Sequence, residues 1–466
     1  MTGNMLDFGG PDAARFGAPS VDAPSGVAPS GREELLRAAD RVKVLRVRAA
    51  RRWVWLLWLL AGPGVLVMVG ENDGPSMVSY ATTGASYGIG FFLPFILLTF
   101  VMAFVVQEMA ARLGIATHRG HAELIFQRFG PFWGYFAMAD LVFGNLLTLV
   151  TEFIAIQAGG LYFGLPPVVS VGFGIVVIAG SLGLRRYATW ERALMALAAL
   201  NLVFVPVALL AHPSGAALAR ALLEWRPLPR HLGLTFVTLI MANIGATVTP
   251  WMIFFQQSAV VDKGLAQVDL PQSRIDTAAG AILAAIAGCA ALVAASPLFA
   301  AHVDVARFQT GADFASALKP LIGRTGATLF AIGIIEAGLL AAMTISTSSS
   351  YALAETVSAR HSLNLDFSQG RLFYGAAMIS ALLAGAIVLI PGAPLLAITL
   401  TVNVVATLLM APALLFLLLL ANDREIMGDL ANGWKANLAG GTAVAAISLM
   451  GAIYGVIVIF PHVFGG

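Results

Sequence analysis

The sequence carries very little charge for its length. Of its 466 residues only 11% are Asp, Glu, Lys or Arg, whereas 59% are hydrophobic, and the mean hydropathy is +0.85. A soluble domain has a charged fraction of about 25%. The shortage of charge indicates a membrane protein, and the net charge of +2 gives no sign of a nucleic-acid partner.

Cysteine is almost absent as well. The one cysteine, Cys289, lies in an apolar segment, so the chain cannot form an internal disulfide. The sequence also lacks the Cys/His spacing of a zinc site, a P-loop and the G-x-S-x-G motif of serine hydrolases. We therefore predict neither an enzyme nor a bound cofactor.

Long apolar runs recur from residue 53 to residue 460, and each is long enough to cross a bilayer as a helix. They predict an all-α integral membrane protein whose transmembrane domain covers 53–460. We expect about eleven spans, at 53–86, 90–113, 131–160, 167–184, 188–211, 232–262, 276–298, 321–357, 371–390, 394–421 and 437–460.

Residues 1–52 have a different composition. Residues 1–31 are rich in Gly, Pro, Ala and Ser and are predicted to be a disordered tail, and 32–52 form a basic segment that suits anionic headgroups. With a cytoplasmic N-terminus, 21 of the 27 Lys and Arg residues lie inside, as the positive-inside rule requires. We expect a multi-pass protein of the cell inner membrane with an external C-terminus, in contact with lipid and without an obligatory protein partner. The six external basic residues are Arg220, Arg226, Arg230, Arg307, Lys319 and Arg324.

The first apolar run is interrupted at residues 70–76, which read Gly-Glu-Asn-Asp-Gly-Pro-Ser. A helix cannot pass smoothly through two glycines and a proline. Non-helical backbone at membrane depth occurs only where it is buried in protein or lines a cavity. A carboxylate at such a break, here Asp73, marks a candidate functional site.

The sixth span contains a second interruption, Asn-Ile-Gly-Ala-Thr-Val-Thr-Pro-Trp at 243–251. Pro250 removes a backbone donor and frees a carbonyl near Ala246. The two breaks lie in spans 1 and 6, five spans apart. The span with the second break therefore crosses the membrane in the opposite direction to the span with the first, as in two inverted copies of one repeat. Broken helices 1 and 6 in a 5+5 inverted repeat are typical of secondary transporters, which bind cargo at mid-membrane and work by alternating access.

Several short motifs support a family resemblance. They are Gly-Pro-Gly at 62–64, Asp73, Gln-Glu-Met-Ala-Ala-Arg-Leu-Gly at 107–114, Glu152 in span 3, and Gly-Ala-Thr-Val-x-Pro at 245–250. In this order and spacing the chain resembles the natural resistance-associated macrophage protein (Nramp) family of divalent metal transporters. The resemblance covers roughly 53–435 and implies a LeuT-type fold. Residues 256–263 and 364–371 look most similar to the divergent branch related to magnesium transport.

The chain departs from the family pattern at four positions. Ser76 stands where the family has a ligand Asn, and Thr249 stands where it has a Met. Trp251 replaces the His linked to proton coupling, and Leu149 replaces an Asp in span 3. We therefore expect that transport does not depend on proton coupling.

The resemblance also implies a ligand set. It contains the side chains of Asp73, Ser76 and Thr249 and the backbone carbonyls of Gly70 and Ala246. A set made only of oxygen atoms suits Mg²⁺ or Mn²⁺ as the transported ion better than Fe²⁺ or Cd²⁺, because soft metals prefer sulfur.

Other residues are candidates for supporting roles. We expect Glu71, Asn72 and Trp251 to line the site, and Glu152 and Glu336 to serve a proton or gating function. An alternative role for Asp73 is the N-cap of the second half-helix.

Two other functions also fit the sequence. A small organic cation could pair with Asp73 and lie against Trp251. A sensor that does not transport could also retain this fold.

Overall fold

The computed structural model describes residues 31–227 and 233–459, and within them the regular secondary structure is entirely helical. The N-terminal half contains α1 (Gly31–Ala49), α2 (Trp53–Leu60), α3 (Pro63–Gly70), α4 (Gly74–Tyr87), α5 (Phe92–Thr117), α6 (His121–Phe129), α7 (Pro131–Tyr162), α8 (Pro167–Leu182), α9 (Tyr187–Ala198) and α10 (Phe204–Leu210). The C-terminal half contains α11 (Gly215–Glu224), α12 (Leu234–Gly245), α13 (Pro250–Asp262), α14 (Leu270–Ala300), α15 (Gly311–Thr356), α16 (Arg371–Val388), α17 (Leu395–Asn422), α18 (Arg424–Met427) and α19 (Trp434–Ile459).

These helices reproduce the predicted set of membrane segments. Among the described residues, nine helical stretches are long and apolar enough to span a bilayer, and a bent pair at the first span raises this number to ten. The apolar helix α8 has 16 residues, just under the usual length. With α8, the segments correspond one to one with the eleven expected spans. The predicted disordered tail lies almost wholly outside the described residues, and most of the basic segment forms α1.

The first span differs from the prediction at its start. The apolar run from Trp53 does not continue straight, because α2 and α3 meet at a bend of 54°. Gly62 has a φ of 151° there, a conformation that favours glycine. The Asp276 carboxylate accepts hydrogen bonds from the backbone N–H groups of Gly62 (3.0 Å) and Gly64 (2.7 Å). The first span therefore bends at Gly62, before it reaches the predicted interruption.

The predicted interruption at 70–76 divides the rest of the first span. Helix α3 has 8 residues and α4 has 14, and at about 1.5 Å per residue the two extend for roughly 33 Å. This matches a hydrocarbon core of about 30 Å. The sixth span is divided in the same way, since α12 ends at Gly245 and α13 begins at Pro250.

The two broken spans lie between two groups of helices. Helices α7, α8, α15 and α16 each contact the other three, and together they form a continuous group made of spans 3, 4, 8 and 9. On the other side, α14 packs along α3, α4 and α5, while α12 packs against α17. This arrangement places both breaks in the interior of the bundle.

Candidate functional site

Asp73 lies at the first break as the N-cap of α4. Its Oδ1 accepts a hydrogen bond of 2.7 Å from the backbone N–H of Ser76. Pro75 stands in the first turn of α4, where a missing N–H costs nothing. Asp73 and Ser76 are each 1% exposed. The alternative role of Asp73, as a helix cap, is therefore part of the structure.

Glu152 approaches the same point from α7. Its Oε2 accepts a hydrogen bond of 3.1 Å from the backbone N–H of Gly74, the residue that directly follows Asp73. A side chain at position 74 would overlap the methyl group of Ala155. The absence of a side chain at Gly74 thus permits the close contact between the break and α7.

Glu71 connects the two breaks. The Thr249 hydroxyl donates a hydrogen bond of 2.9 Å to Glu71 Oε2. Thr249 is the N-cap residue of α13, so the start of one half-helix is bonded to the end of another. The structure places Thr249 against Glu71, which the sequence analysis assigned only to the lining.

Trp251 lies directly beside the first break. A side chain at Gly70 would begin 3.4 Å from Trp251 Cη2 and 3.5 Å from Thr344 Oγ1. The indole ring is fully buried and packs edge-on against Phe255, with ring centroids 5.9 Å apart. The ring therefore fills space next to the Gly70 backbone.

The carbonyl of Ala246 accepts a hydrogen bond of 2.9 Å from the Tyr80 hydroxyl. This contact satisfies the carbonyl that the second break was expected to free. A carbonyl oxygen has two lone pairs, so one remains for another donor or a cation. Tyr80 belongs to α4, and the bond joins the second half of span 1 to the second break.

A second polar cluster lies on another side of the first break. Asn72 Nδ2 donates to Asn201 Oδ1 (3.2 Å) and to the Ala284 carbonyl (2.7 Å). Asn201 Nδ2 donates to Glu336 Oε2 (3.2 Å) and to the Asn72 carbonyl (3.2 Å). Asn72 and Glu336, which the sequence analysis treated separately, thus meet through one residue.

Asn201 was missed by the sequence analysis. It is a lone polar residue in the apolar run Ala-Leu-Asn-Leu-Val at 199–203, which forms a 3-10 turn between α9 and α10. Its amide side chain inside an apolar span could have marked it as a candidate, because polar groups at membrane depth require partners. The position of those partners was not readable from the chain.

The site is closed to solvent and carries an excess of carboxyl groups. Glu71 and Glu152 are both fully buried with Asp73, and no Lys, Arg or His among the described residues interacts with any of the three. The described residues also contain no group of three or more His, Cys, Asp or Glu side chains arranged to hold a metal. Closely spaced carboxyls without a basic partner favour the binding of protons or of a cation.

The chain is similar to known proteins over most of its length. Residues 64–457 match the family model "Natural resistance-associated macrophage protein-like". The divalent metal cation transporter MntH of Deinococcus radiodurans is 30% identical over 310 residues, which are 63% of this chain and 68% of the relative. MntH of Pectobacterium carotovorum is 26% identical over 404 residues, covering 84% of this chain and 92% of the relative.

Solved structures show the same fold. The manganese transporter of Eremococcus coleocola aligns with a TM-score of 0.72 at 21% identity, covering 86% of this chain and 87% of that one. MhsT, solved with L-phenylalanine, aligns with a TM-score of 0.56 at 14% identity over 84% of this chain and 97% of that one. The expected LeuT-type fold is confirmed. The chain belongs to the Nramp family and is a membrane transporter, not an enzyme.

Proposed function

We propose that this Nramp-family chain carries a divalent metal cation, Mg²⁺ or Mn²⁺ in preference to Fe²⁺ or Cd²⁺, across the cell inner membrane. The cation would bind at the first break, with Asp73 as its charged ligand. Ser76, Thr249 and the carbonyls of Gly70 and Ala246 would supply neutral oxygens. The N-terminus would be cytoplasmic and the C-terminus external.

One observation carries this proposal. Asp73, Glu71 and Glu152 lie buried around one break, and no basic side chain in the described part of the chain compensates them. A buried anionic group in a membrane protein is costly unless it is paired, and such groups mark ion pathways. A cation of charge two is the cargo that best compensates several carboxyls.

The atoms at the site support a hard cation. Asp73, Glu71, Glu152 and Thr249 offer carboxylate and hydroxyl oxygens, which suit Mg²⁺ and Mn²⁺. The relatives with similar sequence are named as divalent metal cation transporters, and the structural relative is a manganese transporter.

The closed state of the site fits alternating access. Both breaks are inaccessible to solvent, and they lie between the continuous group of spans 3, 4, 8 and 9 and the remaining helices. Movement of the broken spans against that group would open the site first to one side and then to the other.

Transport would proceed down the gradient of the metal ion. Trp251 occupies the family's His position and offers no titratable group there. Glu152, bonded to the backbone N–H of Gly74, and Glu336, bonded to Asn201, are the remaining candidates for a gating or proton-holding role.

The test is uptake by the full-length chain in proteoliposomes. We expect Mn²⁺ or Mg²⁺ to enter down its gradient without an imposed pH gradient, and to enter faster than Cd²⁺. Asp73→Ala should abolish uptake, while Asp429→Asn, which changes an exposed carboxylate, should not. Saturable uptake of an organic amine without flux of any divalent ion would overturn the metal proposal. Ligand-dependent thermal stabilisation without any uptake would indicate a sensor.

A further inference from the structure

A cleft lies on the face of the bundle that carries α1, away from the breaks. It is bounded by α1, α2, the start of α9 and the end of α13, and it encloses about 800 Å³ of open space, including the solvent at its mouth. None of the residues around Asp73 lines it. Its lining combines basic side chains with apolar ones, a combination that the proposed cation pathway does not use.

Basic residues outnumber acidic residues in the cleft. Its acidic groups are already paired: Asp262 with Arg37 at 3.0 Å and Glu191 with Lys263 at 2.8 Å. The basic residues in the lining are Arg37, Arg41, Lys43, Arg192 and Lys263, and the acidic ones are Asp40, Glu191 and Asp262. The cleft therefore carries an excess of positive charge.

Arg192 provides the uncompensated charge. It is exposed in the middle of α9, and it forms no ion pair or hydrogen bond with any residue in the described part of the chain. Lys43 is also half exposed at its head, with Asp40 as its partner at 2.9 Å. Two basic residues in the lining of one cleft suit a phosphate group.

The other wall of the cleft is apolar and faces the bilayer. Trp58 of α2 is 59% exposed, and Leu59 and Met195 also line the cleft. Only 33% of the apolar window of the span at 187–210 is buried inside the protein, so an apolar surface continues from the cleft along the membrane. Exposed Trp side chains are typical of the interface between headgroups and acyl chains.

We propose that this cleft binds one anionic phospholipid. Its phosphate lies between Arg192 and Lys43, and an acyl chain follows Trp58 and Met195 along the fifth span. Basic pockets between membrane helices are known to suit anionic headgroups. A soluble phosphate satisfies the basic heads alone and leaves the apolar wall uncovered, which favours lipid as the source of the phosphate.

Such a lipid connects three of the helices that bound the cleft. Arg37 of α1 already pairs at 3.0 Å with Asp262, the last residue of α13. The cleft adds the start of α9 to this connection. A lipid bound there holds α1, α9 and the end of broken span 6 together, and so stabilises the closed form of this end.

The test is native mass spectrometry of the full-length chain in detergent with added phosphatidylglycerol or phosphatidylcholine. Wild type should retain one phosphatidylglycerol in preference to phosphatidylcholine. Arg192→Ala should weaken phosphatidylglycerol binding about fivefold and remove the preference. Trp58→Ala should weaken the binding of both lipids. Because Arg192 has no partner within 31–227 and 233–459 and Trp58 is exposed, neither substitution removes a contact on which the described fold depends.

Arg324→Ala is the matched control, because this arginine is also exposed but does not line the cleft. It should leave lipid binding unchanged. Three results would each overturn the proposal: equal retention of both lipids by wild type, an equal loss of binding in Arg192→Ala and Arg324→Ala, and displacement of phosphatidylglycerol by millimolar inorganic phosphate. The last result would identify a soluble anion site. Because the assay measures no ion flux, its failure leaves the proposed transport function untouched.

Discussion

Asp73→Asn separates the two roles that the structure gives to Asp73. The side chain caps α4 through the Ser76 N–H at 2.7 Å, and the proposed function makes it the charged ligand of the cargo. Asparagine is as good an N-cap as aspartate, whereas alanine lacks the acceptor and costs about 1 kcal/mol. The amide also offers a donor to the neighbouring Glu152 carboxyl. Asp73→Asn should thus keep the fold and lose the charge.

The loss of charge should dominate the effect on cation binding. Two unit charges 4 Å apart contribute about 4 kcal/mol at an effective dielectric constant of 20, and a divalent ion doubles this to about 8 kcal/mol. If water and the other carboxyls replace three quarters of this attraction, the loss of the Asp73 charge costs about 2 kcal/mol of binding free energy. That corresponds to about a 30-fold rise in the dissociation constant.

The assay pairs calorimetric titration of Mn²⁺ or Mg²⁺ with thermal unfolding in the same detergent. We expect Asp73→Asn to unfold close to wild type, with binding weakened about 30-fold, and Asp73→Ala to be destabilised by about 1 kcal/mol as well. If Asp73→Asn binds the ion as tightly as wild type, Asp73 is only a cap and the reasoning is refuted.

Three further substitutions test separate features. Gly74→Ala should destabilise the protein by about 1–3 kcal/mol in thermal unfolding, because the new methyl group overlaps Ala155. Trp251→Phe should increase the rate of ion uptake in proteoliposomes, because it removes the edge of the indole ring beside the first break. This substitution should lower the free energy of unfolding by less than about 3 kcal/mol. Burial lowers the pKa of His121 to about 4, so the unfolded chain binds a proton below a pH of about 6.5 that the folded chain does not. The free energy of unfolding should therefore decrease as the pH is lowered, by about 2 kcal/mol between pH 7 and pH 5. His121→Gln should weaken this pH dependence.

The controls for these substitutions come from the same chain. Gly172→Ala adds a methyl group where nothing lies within 4 Å and should leave unfolding unchanged, so equal effects at both glycines would contradict the packing argument. Unchanged or slower uptake in Trp251→Phe would show that the indole does not restrict the pathway. A steep loss of stability at low pH in His121→Gln would assign the pH dependence to another group.

The location of the two breaks was readable from the chain. Gly, Pro and acidic residues inside two apolar runs placed both breaks within a residue or two, because such residues cannot continue a helix at any position in the fold. The spacing of the breaks likewise indicated the inverted repeat. The bend at Gly62 was not predicted, although Gly-Pro-Gly was noted as a motif. It depends on the Asp276 carboxylate, which is more than 200 residues away in sequence.

The sequence by itself determined that this is a helical membrane protein with two interrupted spans and an acid at the first interruption. These features depend on local composition, namely apolar length, missing backbone donors and the placement of charge. Only the tertiary structure decided which side chains meet. Thr249 faces Glu71, Glu152 reaches Gly74, and Asn201 joins Asn72 to Glu336. Such contacts depend on how each helix is rotated and packed against distant ones, and the local pattern of residues does not contain that information.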